Sequence, residues 1–174
     1  MIRPCQMNTY PKNKILKNNT SVWIRPIKAD DKLALYEAYE NLSKHSRFMR
    51  FFSTPSHLSN KLLKYLTEVD SYNHIALIAY IQNPEKGIGV VRCIRLQENL
   101  KIAEIAVTVA DEYQRQGLGR ILVDELKQIA MQKGIQILRA YVHPENTKLK
   151  NVFKKLGSEF KYIDGLWVFD FELT

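Results

Sequence analysis

The chain has 174 residues, 45% hydrophobic and 25% charged, with a formal net charge of +8, values that suit one soluble globular domain with its own core. Its two cysteines, Cys5 and Cys93, are far apart and neither sits in a CxxC pair. That excludes a disulfide framework or a zinc ribbon and fits a reducing cytoplasm, while the lack of any apolar run near ~18 residues excludes a membrane helix.

Residues 1–20 carry Arg3, Lys12, Lys14 and Lys17, no acidic residue and no apolar stretch of signal-peptide type. They hold half of the net charge. They are expected to form a basic, flexible tail, with a single folded domain over residues 21–174. Because the remainder is only mildly basic, a nucleic-acid partner is disfavoured; that would want a basic stripe on a folded face.

Residues 22–27 are rich in β-formers and end near Pro26, which predicts a first strand at a sheet edge. Asp30 is expected to cap a helix through Leu33, Leu35, Tyr36 and Tyr39. Residues 43–52 read as a short helix or turn carrying Arg47, Arg50 and three phenylalanines. A groove-lining role for the two arginines is weighed there against a helix packed by Phe48, Phe51 and Phe52 with solvated arginines, and the second is favoured. Residues 59–67 place Leu62, Leu63 and Leu66 at helical spacing behind a Ser59 cap.

Three strands are predicted over residues 74–82, 89–97 and 102–109. Their short connections imply an antiparallel meander. A helix over residues 119–133 follows, with Ile121, Leu122, Leu126 and Ile129 on one face and Gly134 at its end. Next come a strand over residues 137–142 and a helix over residues 147–156 with Leu149, Val152, Phe153 and Leu156 inward. Two strands, near residues 160–163 and 166–171, close the chain. Strand, helix, strand from Ile102 to Val142 forces a parallel pair through a crossover helix. The expected class is therefore α/β of the α+β type, with a mixed, mostly antiparallel central sheet and one parallel β-α-β step.

The stretch V-T-V-A-D-E-Y-Q-R-Q-G-L-G-R, Val107 to Arg120, carries the chemistry. A strand runs through Val107, Thr108 and Val109. After a polar turn, Gln114, Arg115, Gln116, Gly117, Leu118 and Gly119 lead into a helix. A helix start leaves N–H groups unpaired and adds positive potential. Glycines let phosphate oxygens approach those groups, and Arg115 and Arg120 can add charged contacts. The pattern is a diphosphate site, although an ordinary strand–helix turn would also hold two glycines. It lacks the ending of a Walker loop and the third glycine of a dinucleotide fingerprint.

With this turn, the strand order before it and the helix–strand–helix after it, the chain resembles the GNAT superfamily of N-acetyltransferases. His143-Pro144-Glu145-Asn146 and Phe153-Lys154-Lys155-Leu156-Gly157 extend the likeness, which covers roughly residues 22–173. Asn41-Leu42-Ser43, the Ser46 to Phe52 segment and the Leu63 to Asp70 segment resemble the branch that acetylates protein lysines. The resemblance implies helices on both faces of the sheet and acetyl-CoA as co-substrate. It also implies that the Gln114 to Arg120 turn holds the diphosphate, and that a gap beside the strand at Val107 to Val109 holds the pantetheine arm.

Acetyl transfer needs a neutral amine, yet a lysine amine has a reference pKa of ~10.4, so a base must take its proton. Glu104 is the candidate. Strand alternation puts it with Ala106 and Thr108 on one face and Ile105, Val107 and Val109 on the other. Small apolar neighbours would desolvate the carboxylate and raise its pKa. The resemblance points to the same residue. Backbone N–H groups near Val107 to Val109 could hold an oxyanion, and pantetheine amides could pair with that strand. Asn146 can bond the pantetheine arm or share the cap of the next helix with Thr147. Many family members carry a tyrosine seven residues after that asparagine. Here the position is Phe153, which keeps a place along the cofactor but has no hydroxyl to give.

The four histidines show no metal spacing, and no metal is expected. Asp111 and Glu112 are expected to shape the turn. The expected acceptor is an amine, either a protein lysine or a small molecule such as a polyamine or antibiotic. A non-catalytic acetyl-CoA-binding module is the rival of another class. A homodimer is left open.

Overall fold

The computed structural model describes residues 10–52, 56–83, 85–155 and 158–173. Along the chain run β1 (Lys12–Ile15), β2 (Ser21–Pro26), α1 (Lys32–Glu40), α2 (Lys44–Phe51), α3 (Asn60–Thr67), β3 (His74–Ile81), β4 (Lys86–Leu96) and β5 (Asn99–Val109). Then come α4 (Leu118–Gln132), β6 (Ile137–Val142), α5 (Thr147–Lys155), β7 (Glu159–Ile163) and β8 (Leu166–Glu172). The strands form one sheet in the order β1-β2-β3-β4-β5-β6-β8-β7. Every neighbouring pair is antiparallel except β5 and β6, which α4 joins as the crossover. This is the expected mixed sheet.

Strand alternation sorts the core into two layers. Ile75, Leu77 and Ala79 of β3 and Ala103 of β5 pack with Leu118, Leu122, Leu126 and Ile129 of α4. Those four α4 residues are at most 2% exposed, and burying each contributes about 1.5–3 kcal/mol. A Cβ on Gly89 would lie 3.0 Å from Leu122 and 3.2 Å from Leu118, so the missing side chain lets α4 sit close on β4. Leu149 and Phe153 of α5 cover Ala140, Val142 and Phe169 on the same face. The opposite face carries α1, α2 and α3, whose core includes Leu35, Tyr39, Leu63 and Leu66. Helices thus cover both faces. No helix among the described residues is long and apolar enough to cross a membrane.

The helix ends follow local chemistry. Ser59 accepts the Leu62 N–H and caps α3, as expected. At the end of α4, Gly134 N–H bonds Met131 O and Ile135 N–H bonds Ala130 O, the paired bonds of a Schellman motif.

Several expectations need correction. The segment expected to be a loose tail contributes β1, which pairs with β2 from Lys12↔Ile24 to Ile15↔Ser21, and Leu16 is 2% exposed. Buried Glu125 of α4 explains this. It accepts from Tyr10 Oη at 3.1 Å and Lys12 Nζ at 2.7 Å, with Lys14 Nζ at 2.8 Å. Consequently β2 is an inner strand, and Pro26 lies beyond the reach of β1, whose pairing stops at Ile24. Asp30 is exposed and caps nothing. Asp31 occupies the junction instead, accepting from Lys28 N–H at 2.7 Å and holding Arg25 in a two-pronged pair at 2.7 Å on each oxygen. Val152 is 51% exposed rather than inward. Leu156 lies outside the described residues.

Candidate active site

The sheet opens beside β5. The parallel pairing runs only through Ile102↔Ile137, Ala103↔Leu138 and Glu104↔Arg139. Both strands continue, to Val109 and Val142, without further pairing. From Ile105 onward the edge of β5 that faces β6 therefore has backbone groups with no strand partner. On the other edge β5 stays bonded to β4 as far as Val109↔Gly89.

Side chains along this edge alternate as expected. Ile105, Val107 and Val109 point into the α4 core. Ala106 and Thr108 line a cavity of about 50 Å³ on the other face, with Leu42, Arg50, Val90 and Arg92.

Glu104 shares that second face and remains open to solvent. Desolvation nevertheless pushes its carboxyl above the ordinary range, and the Arg50 guanidinium partly offsets this. Arg50 reaches it from α2, which lies against β5. Burial pulls the Arg50 pKa down and Glu104 holds it up. The favoured expectation of a solvated Arg50 is thus corrected. Arg47 also turns inward, donating to Leu42 O and Glu40 O and lying 4.5 Å from the Tyr39 ring.

Two further arginines on this face, Arg92 and Arg139, were missed in the sequence. Arg92 is 4% exposed and donates to Leu66 O at 3.0 Å. It also lies 3.0 Å from His74 Nε2. Burial and the Arg92 charge push His74 down to about 4, so its neutral ring serves as acceptor. Arg139 sits beside Glu104 in register and is held by Asp170 through two bonds of 2.8 and 2.7 Å. Cys93 is fully buried in the α4 core, its thiol pushed up to about 12 by burial, on the face away from Glu104. It is unavailable as an acyl carrier.

Beyond Val109 the chain forms a short 3-10 turn, Asp111–Tyr113, and then enters α4. Asp111 accepts from Ser43 N–H at 2.8 Å and from the Ser43 and Ser46 hydroxyls, which ties the start of α2 to this turn. Gln114 folds back onto Val109 O, Asp111 and Ser46, bracing the turn. Arg115 takes a φ of +62° and Gly117 a φ of +91°. At Gly117 a side chain would be strained. No side chain caps α4. The first intrahelical bond of its entry is Ile121 N–H to Gly117 O, which leaves the N–H groups of Leu118, Gly119 and Arg120 without a partner inside the helix. Arg120 is exposed and loosely paired with Asp124 at 3.6 Å, while Arg115 is exposed. Gln116 is engaged through its carbonyl, which accepts Lys17 N–H at 3.1 Å.

At the far wall, Asn146 Oδ1 accepts Leu149 N–H at 3.2 Å, so this residue caps α5. Phe153 packs edge-on against Phe169 and Phe171, at 5.3 and 4.8 Å. Phe48 of α2 meets His143 at 4.8 Å, joining α2 to the end of β6 across the gap. The fold thus gathers Glu104, the open β5 edge and the uncapped α4 start along one continuous strand and turn. An anion at the helix start, an extended amide chain on the open edge and a protonated amine near Glu104 would each meet a matching group.

Comparison with known proteins bears on this arrangement. Residues 35–158 match the Acetyltransferase (GNAT) family. The chain is 29% identical over 136 residues to Acetyltransferase Pat of Mycolicibacterium smegmatis, covering 78% of this chain but 40% of that protein. The chain thus spans well under half the length of this curated relative. The crystal structure of the GNAT domain of S. lividans PAT superposes with a TM-score of 0.87 at 28% identity, over 98% of this chain and 99% of that one. The PaiA N-acetyltransferase of Thermoplasma acidophilum, solved in complex with coenzyme A, shares the fold at 20% identity with a TM-score of 0.67, over 88% of this chain and 99% of that one. The chain belongs to the acetyltransferase (GNAT) family.

Proposed function

We propose that the protein transfers acetyl from acetyl-CoA directly to the side-chain amine of a protein lysine, with Glu104 as the base. The observation that carries this reading is the position of Glu104. It stands at the last residue of β5 that pairs with β6, where the sheet parts, with a raised pKa and an open path to solvent.

The cofactor's diphosphate is held by the N–H groups of Leu118, Gly119 and Arg120, with charge from Arg115 and Arg120. Its pantetheine amides pair with the free edge of β5 at Val107 to Val109, adding a strand to the opened sheet. Asn146, whose carbonyl oxygen is spent on the α5 cap, still has its amide N–H groups to offer the arm. Phe153 supplies an apolar wall.

Glu104 takes the proton from the incoming ammonium, directly or through water, because only the free amine can attack. The amine then adds to the thioester carbonyl, and N–H groups of the β5 edge stabilise the oxyanion. The intermediate collapses to the amide and expels the thiolate, which water protonates. No covalent acyl-enzyme forms.

Arg50 acts on Glu104 directly and Arg92 lies on the same face of the sheet, while Arg139 beside Glu104 is already paired with Asp170. That positive setting favours one lysine on a protein surface with acidic neighbours over a polycation such as a polyamine. The two cysteines, far apart and outside any CxxC pair, fit a cytoplasmic site of action.

The test is acetyl-CoA turnover on a lysine peptide flanked by acids and on spermidine, with wild type and Glu104→Gln. The peptide should be preferred. The variant should lose at least ~100-fold in kcat and keep its affinity for CoA. A near-normal rate removes Glu104 from its role, and preference for spermidine removes the protein acceptor.

A further inference from the structure

The β1–β2 hairpin, whose first strand and turn lie in the expected tail, delivers a lysine onto the start of α4. Lys17 N–H bonds Gln116 O at 3.1 Å, so the backbone of the hairpin is fastened to the turn itself. A Cβ on Gly117 would lie 3.9 Å from both Cγ and Cε of Lys17, so the lysine stem runs across the bare face of that glycine. Lys12 and Lys14, on the same hairpin, are both spent on Glu125. Lys17 is exposed and has no ion-pair partner among the described residues.

We propose that Lys17 is a phosphate-binding residue of the cofactor site. The hairpin acts as a strap that carries its ammonium to the diphosphate turn, and the clamp of Tyr10, Lys12 and Lys14 on Glu125 holds the strap in place. The inference rests on the proposed binding of acetyl-CoA at this turn and adds a charge from outside the loop-and-helix unit. Three features converge on a phosphate. The helix start offers N–H donors, Gly117 leaves room for close approach, and a mobile-stemmed cation lies over that room without a carboxylate to neutralise it.

The experiment measures Kd for CoA and for dephospho-CoA by calorimetry, at two salt concentrations, on wild type, Lys17→Ala, Lys17→Arg and Lys61→Ala. Lys61 is an exposed lysine of α3 and serves as the charge control. Lys17→Ala should weaken CoA binding about five- to tenfold and flatten its salt dependence, as expected for one charged hydrogen bond at an open site. Lys17→Arg should restore most of the affinity, and Lys61→Ala should match wild type. An equal loss for both ligands assigns Lys17 to the diphosphate, and a loss confined to CoA assigns it to the 3′-phosphate. Wild-type affinity in Lys17→Ala overturns the inference and leaves the acetyltransferase reading standing. Failure of the wild type to bind either ligand overturns both.

Discussion

Glu104 and Arg50 shift each other's pKa. Partial desolvation raises the Glu104 pKa and the Arg50 charge lowers it, so the observed rise is what remains after the two compete. A base works when deprotonated, so activity falls as pH drops through its pKa. Replacing Arg50 with Leu removes the lowering influence and leaves the apolar one. The acid limb of kcat/KM should therefore move to higher pH, with little change on the alkaline side. A pH profile of Arg50→Leu against wild type checks this. An unmoved or lower acid limb would mean that Glu104 does not control that limb. Arg47, on the same helix but bonded to Leu42 O and Glu40 O, gives the contrast. Its loss should cost stability without shifting the limb.

At the scale of elements, legibility in the sequence depended on how far away the stabilising partner lay. The helix α4 was readable because Ile121, Leu122, Leu126 and Ile129 repeat at helical spacing and Gly134 ends the run, all within one segment. The strand pattern of β5 and the face carrying Glu104 were readable for the same reason. The short strand β1 reads Lys-Asn-Lys-Ile and shows no apolar alternation. Its anchor, Glu125, is 113 residues from Lys12. Arg50 was misjudged in the same way, since its surroundings come from a strand far along the chain. Asp30 and Asp31 differ by one position, and the ion pair with Arg25 and the bond from Lys28 N–H single out Asp31.

The clamp makes a prediction at this scale. Desolvation pushes the Glu125 carboxyl up, but the bonds from Lys12 and Lys14 outweigh it and hold the carboxyl below its usual range. With the folded pKa depressed, the contribution is present above the unfolded carboxylate pKa and is lost as pH falls through the folded one. Glu125→Gln should lower stability by about 1–3 kcal/mol near neutral pH, because two partly exposed lysines lose a buried partner. Amide exchange should speed up first at Lys12 to Ile15 and in the hairpin turn, while β4 keeps its protection. Uniform exchange throughout the sheet would show instead that β1 is not a separable strap.

For the molecule as a whole, the decisive feature is a sheet bonded along one side of β5 and open on the other from Ile105 onward. An open interior edge is costly unless something covers it, and a bound pantetheine arm would supply the missing backbone partners. The parting of β5 and β6 could not be read from residues alone, because both segments are regular strands by sequence and only their register shows where pairing stops. Ligand binding should therefore stabilise the entire fold. At acetyl-CoA about 100 times its Kd, mass action adds about 2.7 kcal/mol, which in a domain of this size raises Tm by roughly 5–10 °C. Gly117→Val separates the two components of that shift. A valine at a φ of +91° costs about 1–2 kcal/mol in backbone strain and places methyl groups on the path proposed for the diphosphate. The ligand-free Tm should drop by only a few degrees, while the acetyl-CoA shift should nearly vanish. A shift that survives the valine would place the bound diphosphate elsewhere than the start of α4, and would undo the proposed alignment of the thioester with Glu104.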